Sequence, residues 1–142
     1  MPALFCYGSN GVEQLQRRLN LENKPSATSA YLDNHERVFA GYSRRWKGGV
    51  ATVVPCRNKR VYGIIVVLTE EQLKRLDSFE TGYTRKIKLV QCGEHRKRCH
   101  LYIKDSSVFT HEPSQKYLDA IKSVYLSNGP ASSPASVVSR KV

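Results

Sequence analysis

The 142-residue sequence contains no apolar run near the roughly 18 residues that span a bilayer. The longest, Ile64-Ile65-Val66-Val67-Leu68, suits one buried strand. Acid is scarce: 12 Asp and Glu stand against 23 Lys and Arg, a formal net charge of +11. Cysteine is sparse too, at four residues. Residues 1–5 show no basic segment leading into an apolar one, so neither a secretion signal nor a membrane partner is expected. A chain of this length buries a core without disulfide staples, and a reduced, cytoplasmic setting is the expectation. Cys92, His95, Cys99 and His100 lie close together, but their C-x2-H-x3-C-H spacing is not a usual zinc pattern. They are read as two strands joined by the polar turn Gly93-Glu94-His95-Arg96-Lys97, with no metal.

The shortage of acid raises the question of nucleic acid. The basic residues are scattered, however. Arg44-Arg45-Trp46-Lys47, Arg57-Asn58-Lys59-Arg60 and Arg96-Lys97-Arg98 are short clusters, each in an expected turn. No helix-turn-helix, finger or RNP-type pattern accompanies them, and aromatics interleave with them poorly. Specific nucleic-acid binding is therefore not expected.

What is present reads as alternating short elements. Ala3-Leu4-Phe5-Cys6-Tyr7 is an apolar strand, broken by Gly8-Ser9-Asn10-Gly11. A helix follows over 12–21, with Asn10 as its N-cap and Val12, Leu15 and Leu19 inward. Strands are predicted over 28–32, 37–42, 50–54 and 60–68, the last two separated by a turn at Arg57-Asn58-Lys59. Thr69 and Gln72 form a capping box that opens a helix to about Phe79. Residues 86–91 and 99–104 make a hairpin, and Ser114 caps a last helix over 115–127 that Asn128-Gly129-Pro130 ends. The pattern predicts an α+β fold: a small mixed, mostly antiparallel β-barrel with flanking helices, one domain over 1–130 and a flexible tail over 131–142.

Three segments could carry chemistry. The turn Tyr7-Gly8-Ser9-Asn10-Gly11, between strand and helix, can aim backbone N–H groups at a carboxylate or an oxyanion. Glu80 follows an amphipathic helix. Solvation is its ordinary fate there, but in a cleft its pKa would rise and it would serve as base and then acid. Trp46-Lys47-Gly48-Gly49-Val50-Ala51-Thr52 pairs two glycines with small residues, which permits a close approach of backbone or ligand.

Taken in order, Phe5-Cys6-Tyr7-Gly8-Ser9-Asn10, Trp46 to Thr52, Val61-Tyr62-Gly63-Ile64-Ile65, Leu76-Asp77-Ser78-Phe79-Glu80-Thr81-Gly82-Tyr83 and Pro113-Ser114-Gln115-Lys116-Tyr117-Leu118 resemble the γ-glutamylcyclotransferase family. The resemblance extends over roughly residues 3–130 and includes the avirulence-induced-gene-like branch. It implies a barrel whose Tyr-Gly-Ser-Asn loop and glutamate line one cavity. It implies an enzyme that cyclises a small acidic γ-glutamyl amide to 5-oxoproline, with no cofactor or metal. Glu80 matches the acid/base glutamate, Tyr7, Gly8, Ser9, Asn10 and Gly11 the substrate-binding loop, and Tyr83 and Tyr117 cavity tyrosines. The resemblance also implies a homodimer. Asn10 and the Trp46 to Thr52 segment resemble enzymes acting on γ-glutamyl amino acids. Leu76-Asp77-Ser78-Phe79-Glu80 with Tyr83 and Arg85 is closer to the avirulence-induced-gene-like branch. The expected function is release of an amino acid or peptide and 5-oxoproline. The alternatives are a γ-glutamylamine cyclotransferase or a non-catalytic binding protein on the same fold.

Overall fold

The computed structural model describes residues 1–8, 10–104 and 112–128, with side chains described through residue 123. The predicted tail and the Gly129-Pro130 stop lie outside the described residues, as does Ser9. Among the described residues the order is β1 (Ala3–Cys6), α1 (Val12–Leu19), β2 (Ala27–Ser43), β3 (Gly48–Val67), α2 (Glu70–Asp77), β4 (Tyr83–Cys92), β5 (His95–Lys104) and α3 (Gln115–Asn128). The strands close into a barrel in the order β1-β3-β2-β4-β5. The β1–β5 contact, at Leu4 and His100, is parallel, and the other pairings are antiparallel. The mixed barrel read from the sequence is thus the observed architecture.

The continuous apolar character of β1 has a direct cause: both of its faces are covered. Ala3 and Phe5 join the cluster that includes Phe39, Val61, Leu101 and, from α3, Tyr117 and Ile121. Leu4 and Cys6 join a second cluster with Leu15 and Leu19 of α1 and Leu73 and Leu76 of α2. The period-2 alternation of a strand thereby assigns successive residues to separate layers. The periodicity of α1 and α2 aims their leucines at the same layer.

The predicted strands over 28–32 and 37–42 are one strand, and so are those over 50–54 and 60–68. Arg57-Asn58-Lys59 does not reverse the chain. Asp33 pairs with Arg60 and His35 with Pro55, so residues 56–59 bulge out opposite Asn34 while pairing continues on both sides. Asn34 and Asn58 take positive φ there, at 58° and 64°. A bulge and a turn call for the same residue types, which is why the two look alike in sequence. The β4–β5 reversal is also tighter than expected, because Cys92 already pairs with His95 across Gly93-Glu94. Among the described residues no group of His, Cys, Asp and Glu is arranged to hold a metal ion. No described helix is long and apolar enough to cross a membrane.

Two of the three predicted helix caps form. Thr69 Oγ1 accepts from the Gln72 N–H at 3.1 Å, and the Gln72 side chain accepts from the Thr69 N–H at 2.8 Å. Ser114 Oγ accepts from the Tyr117 N–H at 3.2 Å. The helix over 12–21 is shorter than predicted, ending at Leu19 with Asn20 left-handed at φ 53°. Asn10 is not its cap: Gly11 takes that place, without a side-chain cap bond. The side chain of Asn10 is engaged elsewhere.

Candidate active site

The loop after β1 and the turn after α2 meet at one end of the barrel. Asn10 Nδ2 donates to Glu80 Oε1 at 2.6 Å, across 70 positions of sequence. Arg18, on α1, reaches the same oxygen at 3.5 Å, and its Nη1 donates to Asn10 Oδ1 at 3.4 Å. This triangle explains the missing cap: a cap needs the Asn10 Oδ1 as acceptor, and that oxygen accepts from Arg18 while the amide nitrogen is turned to Glu80. Glu80 is fixed from its backbone as well. Its N–H donates to Asp77 O at 3.2 Å, and its carbonyl accepts from the Tyr83 N–H at 3.1 Å.

The cavity these residues line has a volume of about 520 Å³. Its walls include Tyr7, Gly8, Asn10, Arg18, Arg45, Trp46, Glu80, Tyr83, Tyr102, Lys104 and Tyr117. Of the predicted site residues, Tyr7, Gly8, Asn10, Glu80, Tyr83 and Tyr117 come together here. Gly11 does not line the cavity; its carbonyl accepts from the Leu15 N–H and starts α1. A Cβ on Gly8 would stand 3.4 Å from Tyr117 Oη and 3.5 Å from Ala51 Cβ, so the loop backbone lies close against the far wall.

The tyrosines are tied to the frame. Tyr7 Oη donates to the Tyr102 carbonyl. Tyr83 Oη donates to Ala51 O at 2.9 Å, and the Ala51 N–H donates to Tyr117 Oη at 2.8 Å. Ala51 is therefore gripped on both sides of its backbone. The Gly48-Gly49 pair serves the close approach that the sequence suggested, and the partner is backbone. A Cβ on Gly48 would fall 2.6 Å from Glu112 O, and the Gly49 N–H donates to that same oxygen at 2.9 Å. This brings the start of α3, and with it Tyr117, to the cavity.

Proton chemistry narrows to one group. Burial pushes the phenols of Tyr7, Tyr83 and Tyr102 above their ordinary range, so they stay protonated. Burial does the same to the Cys6 thiol, which removes it as a thiolate nucleophile. Among the described lining residues Glu80 is the one carboxylate, and none is a histidine. Burial raises its pKa, while the Asn10 hydrogen bond and then the Arg18 charge pull it back. Nearby Asp77 raises it slightly and Lys104 lowers it. The result is a carboxyl shifted toward neutrality, which suits alternating base and acid work. The sign of each contribution gives a test. Asn10→Ala deletes a donor to the carboxylate, so the pKa of Glu80 rises further. The acid limb of kcat/KM against pH should then move to higher pH. An unmoved limb would separate Asn10 from the ionisation of Glu80.

Arg37, Arg18 and Lys104 were not singled out from the sequence. Arg37, on β2, is 1% exposed. Its Nε donates to Tyr7 O and its Nη2 to Tyr62 O, both at 2.9 Å. It thus holds the last carbonyl before Gly8. Lys104 lies across two glycines. A Cβ on Gly41 would meet its Cε at 2.4 Å, and a Cβ on Gly82 would meet its Nζ at 2.8 Å. Both glycines have positive φ, 64° and 86°, and the channel they leave lays the ammonium 5.0 Å from the centre of the Tyr83 ring.

The five-stranded mixed barrel matches known folds. The family model for "gamma-glutamyl cyclotransferase, AIG2-like" proteins matches residues 4–124, and the chain belongs to this family. Among solved structures it is similar to a γ-glutamyl cyclotransferase at 24% identity and a TM-score of 0.76, covering 92% of this chain and 81% of that one. It is similar to an uncharacterised human protein at 24% identity and a TM-score of 0.80, covering 95% and 85%. A yeast γ-glutamyl cyclotransferase specific to glutathione is 13% identical with a TM-score of 0.61, covering 92% and 89%. No curated protein sequence matches the chain. Family and fold together support a γ-glutamyl cyclotransferase-type function.

Proposed function

We propose that the protein converts a γ-glutamyl amino acid or peptide to 5-oxoproline and the free amino acid or peptide. The observation that carries this reading is Glu80. It is the single described carboxylate of the cavity, raised in pKa by burial and gripped by Asn10. The substrate contains its own nucleophile and electrophile, the α-amine and the γ-carbonyl. The enzyme's task is to hold the folded rotamer, and such orientation is worth several kcal/mol on its own.

The Glu80 carboxylate takes a proton from the α-ammonium. The freed amine attacks the γ-carbonyl carbon and closes the five-membered ring. As the bond to the leaving nitrogen breaks, Glu80 returns the proton to it; the ring nitrogen gives up its second proton, and the released amine takes it up as ammonium. Tyr7, Gly8 and Asn10 border the same space and offer polar groups to the glutamyl head. No step calls for a metal or cofactor.

The test is a panel of γ-glutamyl-alanine, glutathione and γ-glutamyl-ε-lysine, scored for 5-oxoproline. Release from the first or second supports the proposal. Turnover of γ-glutamyl-ε-lysine alone would make the protein a γ-glutamylamine cyclotransferase. Binding of all three without 5-oxoproline would make it a non-catalytic member of the fold.

A further inference from the structure

The cavity is lopsided in charge. Among the described residues, Arg18, Arg45 and Lys104 line it against the single carboxylate of Glu80. Arg18 pairs with Glu80. Lys104 is channelled toward Tyr83, where its charge acts on Glu80. Arg45 remains, and among the described residues it has no carboxylate partner.

Arg45 is nonetheless held in place. Its guanidinium stacks over the Trp46 ring at 5.2 Å, and Trp46 packs on Tyr117 with ring centres 5.1 Å apart. The turn that bears it is pinned by Ser43. Ser43 Oγ accepts from the Trp46 N–H at 3.2 Å, and Ser43 O accepts from the Lys47 N–H at 2.7 Å. Arg45 and its neighbour Tyr42 are exposed, so they mark the mouth of the cavity on the β2–β3 side. A γ-glutamyl head bound against Asn10 and Glu80 would leave the mouth beside this turn open to its leaving group.

Resting on the cyclotransferase reading, we propose that Arg45 reads a carboxylate on the leaving group. The preferred substrates are then γ-glutamyl amino acids or short peptides with a free carboxylate, rather than γ-glutamyl derivatives of plain or cationic amines. Such a substrate presents two carboxylates to the cations of the cavity, whereas a γ-glutamyl derivative of a carboxylate-free amine presents one. A guanidinium suits this role, because it offers several N–H donors in a plane while its face stays on the indole.

The experiment compares γ-glutamyl-alanine, γ-glutamyl-alaninamide and γ-glutamyl-1,4-diaminobutane as substrates for the full chain, scored for 5-oxoproline. The wild type should favour the acid over the amide by about tenfold in kcat/KM, the value of one charge-assisted contact at a partly wet site. Arg45→Gln should collapse that ratio toward one, Arg45→Lys should keep part of it, and Arg45→Glu should turn preference toward the diaminobutane derivative. Equal turnover of acid and amide by the wild type, or an unchanged ratio in Arg45→Gln, overturns the assignment of Arg45 and leaves the cyclotransferase reading intact. No 5-oxoproline from any of the three, nor from glutathione, overturns that reading itself.

Discussion

Glu80→Gln should lower 5-oxoproline release by roughly two to four orders of magnitude, the usual worth of a positioned acid/base group. The loss should appear in kcat, because the amide keeps the shape of the site. Gln Oε1 can still accept from Asn10 Nδ2, which now bonds Glu80 at 2.6 Å. The same variant should be no less stable than the wild type near neutral pH. Burial is the largest cause of the raised pKa of Glu80, so the folded state binds its proton more tightly than the unfolded chain does. Wherever the folded state binds more protons, stability falls as pH rises. The fall lies between the pKa of an unfolded glutamate and the raised folded value. Above that window the ionised side chain is a net cost, and glutamine removes it. Denaturant unfolding of both proteins at acid and neutral pH reads this directly: their difference should favour Glu80→Gln and grow as pH rises. Retained activity sinks the acid/base role. A variant markedly less stable at neutral pH would mean that the Arg18 ion pair outweighs burial.

Much of the frame and part of the site were legible in the sequence, for reasons that differ from residue to residue. β1, the capping box at Thr69 and the cap at Ser114 depend on local chemistry, and they form as local chemistry predicts. Tyr7, Gly8, Asn10 and Glu80 were marked by motifs, but the bond between Asn10 and Glu80 was not visible. An Asx side chain just before a helix looks the same whether it folds back as a cap or reaches a partner 70 positions away. Arg57-Asn58-Lys59 reads as a turn in the sequence although residues 56–59 form a bulge, since only the shared partner strand tells the two apart. The cationic residues were the hardest. Arg18, Arg45 and Lys104 are three of 23 basic side chains, and their roles come from what the barrel brings opposite them. Gly41 and Gly82 gave the one faint clue to Lys104, because their missing side chains make its channel. The net charge of +11 thus includes a small share aimed inward at the cavity.

Arg37 left a faint trace as well. Strand alternation puts it on the face of Phe39, where an arginine has no ordinary place, and the structure buries it to 1% exposure. Arg37→Met keeps much of the side-chain volume and removes the donors to Tyr7 O and Tyr62 O. Each buried carbonyl that loses its donor costs about 1–3 kcal/mol, so a total near 2–4 kcal/mol is expected, discounted for the half-buried Tyr62. That is a large fraction of the stability of a domain this size. Denaturant titration should show an earlier midpoint at an unchanged slope. A second effect should be separable from the first. Tyr7 leads into Gly8 and Asn10, so loss of the Tyr7 contact should loosen the loop even under conditions where the variant is fully folded. KM for γ-glutamyl-alanine should then rise more than kcat falls. Arg37→Lys provides the control. It retains one donor group and can serve only one of the two carbonyls well, so it should fall between methionine and arginine in both measurements. Wild-type stability in Arg37→Met would show that the buried guanidinium is dispensable to the barrel. Lost stability with an unchanged KM would confine Arg37 to the frame and detach it from the substrate loop.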